Sequence, residues 1–96
     1  MITAAEVRAA AERIAGRVRK TPCAPAPLLS EVVGTHIVCK QEHLQAVGTF
    51  KERGACNRLL TLSQEQRSRG VVAASAGNHA LGLSFHGQRL GVKVTV

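Results

Sequence analysis

Val71-Val72-Ala73-Ala74-Ser75-Ala76-Gly77-Asn78 is the stretch that decides the architecture of this 96-residue chain. Four apolar residues follow Gly70, and their compactness predicts a short strand covered on both faces. Small residues then turn the chain into a helix, predicted from Asn78 to about Leu90, with Leu81 and Phe85 on one side. Beyond it, Val92, Val94 and Val96 alternate with Lys93 and Thr95, the period-2 pattern of another strand. Strand, helix and strand in that order predict parallel pairing, with the helix as crossover.

Working back from this unit, Ser63 and Gln66 have capping-box spacing and predict a short helix that Gly70 ends. A helix starting near Lys51 runs to about Leu62, with Ala55, Leu59 and Leu62 as its buried stripe. His36 to Lys40 read as a strand, with Gln41 to Gln45 leading out of it. Leu28 to Val33 form a short turn of helix stopped by Gly34, and Pro22, Pro25 and Pro27 stiffen an extended crossing before it. Thr3 and Glu6 form another capping box, opening a helix from about Ala4 to Arg19. Val7, Ala11, Ile14 and Val18 are its expected buried stripe, and Thr21-Pro22 ends it. The alternation predicts an α/β fold with a largely parallel sheet. The last strand meets the chain end without a further crossover, so the expectation is the N-terminal part of a longer protein. On that view residues 1–62 begin one subdomain and residues 63–96 begin a second.

The hydrophobic share is 45%, yet Phe50 and Phe85 are the only aromatics, so the core must be aliphatic. Thirteen Lys and Arg against six Asp and Glu give a net charge of +7. Five of those cations lie between Arg8 and Lys20 and the rest are scattered. Without stacking aromatics, nucleic-acid binding is not expected. A basic module that binds polyanions, or that docks on an intact subunit, is the competing non-catalytic reading. Cys23, Cys39 and Cys56 show no metal or disulfide spacing and read as reduced thiols. The four histidines show no ligand spacing, and no metal is expected. No apolar run reaches membrane-spanning length, and the start is not a secretory signal; a cytoplasmic location is expected.

Two strand-to-helix turns are candidates for chemistry. Gly48-Thr49-Phe50-Lys51-Glu52-Arg53-Gly54 places a lysine at a helix start, with Thr49 and Glu52 spaced as a capping box. Free N–H groups and the positive dipole end beside the amine bias Lys51 toward its neutral, nucleophilic form. The Ser75-Ala76-Gly77-Asn78 turn offers converging N–H donors to a carboxylate or phosphate, at the carboxyl end of a buried strand. Asn78 adds an amide that can hold a phenolate oxygen. The bland alternatives are a solvated lysine and an ordinary tight turn.

Taken together, Lys40-Gln41-Glu42-His43-Leu44-Gln45, Gly48 to Ala55 and Ala74-Ser75-Ala76-Gly77-Asn78-His79-Ala80 resemble the threonine dehydratases (threonine ammonia-lyases). These belong to the tryptophan-synthase-β-like, fold type II class of pyridoxal-phosphate enzymes, whose three-layer parallel-sheet fold this chain would share in part. The resemblance implies pyridoxal 5'-phosphate as cofactor. It implies that Lys51 carries the Schiff base, Phe50 packs against the cofactor ring and Asn78 holds its 3-oxygen. Ser75, Ala76, Gly77 and Asn78 would receive the substrate carboxylate, while Glu42 and Arg53 would pair structurally. The implied reaction is β-elimination: Lys51 takes the α-proton, the β-hydroxyl leaves, and threonine gives 2-oxobutanoate and ammonia, or serine gives pyruvate. Complete members are expected to be homo-oligomers. His79 follows the asparagine where cysteine synthases have threonine. Serine racemases resemble the chain too, but carry a proton-exchanging serine where this chain has Ala76. The family's tetraglycine phosphate loop has no match, since the nine glycines are all isolated. The 96-residue chain alone is therefore expected to be inactive.

Overall fold

Two of the three predicted capping boxes form in the computed structural model, which describes all 96 residues. Thr3 Oγ1 accepts from the Glu6 N–H and the Glu6 carboxylate accepts from the Thr3 N–H, opening α1 (Ala4–Ile14). α1 stops five residues short of the predicted Arg19, because the backbone leaves the helix at Ala15 and turns left-handed at Gly16 (φ +72°). Its stripe is present but mostly uncovered: Ile14 is buried, Val18 is half-buried and Val7 is exposed. Near its C-terminal end α1 meets the body of the chain, where Arg13 reaches Asn57.

β1 (Cys23–Pro25) and β2 (Val38–Lys40) pair antiparallel, Cys23 opposite Lys40 and Pro25 opposite Val38. α2 (Pro27–Val33) joins them and ends in left-handed Gly34 (φ +73°). Of the proline-rich crossing, Cys23–Pro25 is strand while Pro27 opens α2, and Pro25 is tolerated because it lies in a two-stranded ladder that is all edge. A 3-10 turn (Glu42–Leu44) leads to α3 (Lys51–Leu60). α4 (Gln64–Arg69) carries the predicted Ser63/Gln66 capping box and ends at Gly70. Its Arg67 donates to the carbonyls of Leu62 and Leu60 at 3.2 and 3.1 Å, satisfying groups left free at the α3 C-terminus.

β3 (Val71–Val72) and β4 (Val94–Thr95) pair in parallel, with α5 (Asn78–Leu90) as the crossover. The parallel expectation holds for this pair; β1 and β2 form a separate antiparallel sheet. β3 is covered on one face rather than both: Val72 is 85% exposed. The core joins Ala55, Leu59, Leu62, Leu83 and Val92, so the α3 stripe is buried as predicted. On α5 the buried face is Gly82, Leu83, His86 and Gly87, not Leu81 and Phe85. The reason is close approach. A Cβ at Gly82 would lie 3.2 Å from the Ala55 Cβ and 3.3 Å from the Lys51 carbonyl oxygen, and one at Gly87 would collide with Val94. No helix is long and apolar enough to cross a membrane.

Candidate active site

The turn that delivers Lys51 is built from inward bonds. Gly48 takes a left-handed conformation (φ +72°) and its N–H donates to the Gln45 carbonyl at 3.0 Å. Thr49 is buried. Its hydroxyl accepts from the Lys51 N–H at 3.4 Å, and its carbonyl accepts from the Glu52 N–H at 3.4 Å. The capping box predicted for Thr49 and Glu52 does not form. Glu52 turns inward instead and accepts the Val47 N–H at 2.9 Å. The free N–H groups expected beside Lys51 are likewise engaged, since the Arg53 N–H also donates to the Phe50 carbonyl at 3.2 Å. The Lys51 side chain is exposed and its Nζ stands 5.3 Å from the centroid of the exposed Phe50 ring.

Beneath this turn, Arg53 and Glu42 pair through two bonds, Nε to Oε2 and Nη2 to Oε1, both 2.8 Å. Thr21 also donates to Glu42, and Gln45 Nε2 donates to it at 3.2 Å. Gln45 exchanges two 3.0 Å bonds with the Arg19 backbone. The Arg53 guanidinium, against burial, holds the Glu42 carboxyl down at about 2. Glu42 and Arg53 are thus the pairing residues the sequence suggested, fixing the segment that leads to Lys51.

In the second turn the N-cap position is Gly77, and the side chain that takes up nearby amides is that of Ser75. Its Oγ accepts from the Ala80 N–H at 3.2 Å and the Gly77 N–H at 3.4 Å. The N–H groups of Asn78 and His79 make no hydrogen bond within the chain. Ala76, Gly77 and Asn78 are exposed and Ser75 is half-buried, so an anion can reach these donors. His79 faces a cavity of about 290 Å³ lined also by Leu59, Val71 and Leu83.

The turns are related through Gly82, one helical turn beyond Asn78, which packs against the carbonyl of Lys51. Lys51 and Phe50 are side by side, and Ser75 to Asn78 lie on the neighbouring helix start. No cavity of the chain is lined by either group. The largest, about 350 Å³, lies instead among Ile14, Arg19, Lys20, Lys40 and Arg53. Sequence reasoning missed the inward turn of Glu52 and the burial of His86 beside it. A signal was present: glycine inside a helix costs about 1 kcal/mol relative to alanine, so Gly82 and Gly87 mark a close contact.

An exposed amine thus stands at the start of α3, and two N–H groups without partners stand at the start of α5, the helix packed on it. Residues 14–96 match the family model described as pyridoxal-phosphate dependent enzyme, and the chain belongs to that family. It is 46% identical, over all of its length, to the L-threonine ammonia-lyase of Thermotoga maritima, covering 24% of that protein. Among solved structures, serine racemase from Dictyostelium discoideum superposes with a TM-score of 0.89 at 38% identity, covering 97% of this chain and 30% of that one. The processed form of threonine deaminase isoform 2 from Solanum lycopersicum gives 0.75 at 35% identity, covering 97% and 27%. The chain therefore carries part of the fold type II architecture and spans about a quarter of the length of the curated relatives it matches. The donor set fits the family's cofactor: a primary amine, an aromatic face beside it, and amide donors of both backbone and Asn78.

Proposed function

We propose that the whole protein removes the amino group of L-threonine or L-serine by β-elimination, with Lys51 as the lysine that binds pyridoxal phosphate. Bound there, the cofactor supplies an electron sink for charge developing at the substrate α-carbon. The Lys51 amine accepts the α-proton, which sets up departure of the β-hydroxyl. Phe50 shields one side of the ring. The Asn78 amide donates to the ring oxygen, and the open N–H groups of the Ser75–Asn78 turn hold the substrate carboxylate.

The observation that supports this reading is the packing of Gly82, one helical turn past Asn78, against the backbone of Lys51 and Glu52. Racemisation is the neighbouring chemistry, but Ala76 has no hydroxyl from which a proton could return to the opposite face. The test is threonine turnover by the whole protein. Ammonia and 2-oxobutanoate are expected, with loss of at least ~10³-fold in rate for Lys51→Ala. Borohydride reduction should fix the cofactor to the peptide containing Lys51. D-serine as the main product from L-serine, or cofactor trapped at another lysine, would overturn the assignment.

A further inference from the structure

Glu52 and His86 are a buried ionisable pair that this chemistry does not use. Glu52 is 1% exposed and His86 is 2% exposed, one on each of the packed helices α3 and α5. Glu52 Oε2 is committed to the Val47 N–H at 2.9 Å, while Oε1 lies 3.4 Å from His86 Nε2. That imidazole nitrogen is buried and has no hydrogen-bond partner. Buried polar atoms are rarely left so, and an unmet one next to a carboxylate points to an interaction that matters beyond packing.

We infer that His86 is a positioning residue that acts through Glu52 to set the Val47–Lys51 turn against helix α5. Glu52 follows Lys51 directly in the chain and grips the backbone four residues before it. Any movement of its carboxylate therefore moves the turn that aims the amine. His86 comes from the helix whose start presents the anion-binding donors, so the pair links both halves of the site. Burial holds the imidazole below its ordinary value, against the pull of Glu52; Arg89 on α5 and Arg17 after α1 act in the same direction as burial. A neutral ring protonated at Nε2 would turn that N–H toward the carboxylate, a bond that is not made at the present geometry. At 3.4 Å the contact is a few tenths of an ångström longer than a charge-assisted bond, so a small shift of the turn alters its strength. Gly82 keeps the two helices close enough for the pair to meet.

This inference rests on Lys51 being the cofactor lysine, and the test separates the two. In the whole protein, His86→Leu is expected to lower kcat about 10- to 100-fold with KM little changed, as misplacement of a reacting group does. The absorption band of lysine-bound cofactor should change as well. Amide exchange at Val47, followed with and without pyridoxal phosphate, should speed up at least ~10-fold. Lys51→Ala should leave that exchange unchanged whatever reaction the protein performs. His86→Gln, whose amide nitrogen reaches the place of Nε2, should restore both readouts, whereas the shorter His86→Asn should not. Unchanged kcat and Val47 exchange in His86→Leu would overturn the inference. If His86→Leu does not fold, equal behaviour of the Gln and Asn variants would overturn it instead.

Discussion

Glu42 shows what one side chain contributes to this site. Its carboxylate is the meeting point for Arg53, Thr21 and Gln45, and Arg53 is the main reason its pKa falls from the ordinary 4.5 to about 2. A carboxyl with a depressed folded-state pKa stabilises the fold above its unfolded value and loses that contribution as pH falls through the folded one. The whole protein should therefore lose stability between about pH 4.5 and about pH 2 as Glu42 is protonated. In Glu42→Gln that part of the slope should vanish, with lower stability at neutral pH. Circular dichroism of acid titrations would measure it, and superimposable curves for the two proteins would refute it. The pairing of Glu42 with Arg53 was legible in the sequence only through resemblance. Spacing alone does not show that residues eleven apart face each other across a turn.

Among the elements, helix starts were the most legible parts. Thr3 and Ser63 cap as their spacing predicts, and α5 begins at Asn78 and ends before Gly91. The N-cap position of α5 is Gly77, and Ser75, three residues before the helix, holds two amides. Ser75→Ala should destabilise the whole protein by about 1 kcal/mol, the usual loss for an N-terminal cap. It should also raise KM for the amino acid, because the same oxygen shapes the turn assigned to the carboxylate. Thermal melts and steady-state kinetics test both effects, and a variant identical in both would remove Ser75 from this role. Elements whose burial depends on a partner were read less well. α1 was expected to bury a stripe of four residues, but of these only Ile14 is buried. β3 was expected to be sandwiched, and one of its faces is open.

At the scale of the molecule, the chain is extended for its size. Its radius of gyration is 15.9 Å, against about 12 Å for a compact domain of this length. Leu28, Val32 and Val72 are each more than three-quarters exposed. These 96 residues hold one small aliphatic core between α3, α5 and the β3–β4 pair, and neither half of the candidate site is walled into a cavity. The isolated 96-residue polypeptide is accordingly expected to unfold without a sharp transition, to bind a hydrophobic dye, and to release no ammonia from threonine. Calorimetry, dye fluorescence and an ammonia assay would measure this. A sharp melt with turnover would show that the small core and open site suffice.

The sequence by itself determined the caps at Thr3 and Ser63, the span of α5, the residues of the α3 stripe, and that a lysine and a small-residue turn stand at two helix starts. Those features depend on neighbours within a few positions, through caps, glycine stops and helical periodicity. Tertiary structure decided that Glu52 turns inward rather than capping its own helix, that His86 is buried beside it, and that Gly82, Leu83 and Gly87 rather than Leu81 and Phe85 face the core. It also decided that β1 and β2 pair antiparallel apart from the parallel pair. Each of these outcomes is set by which surface lies opposite, and the distance between two packed backbones is not written in either one alone.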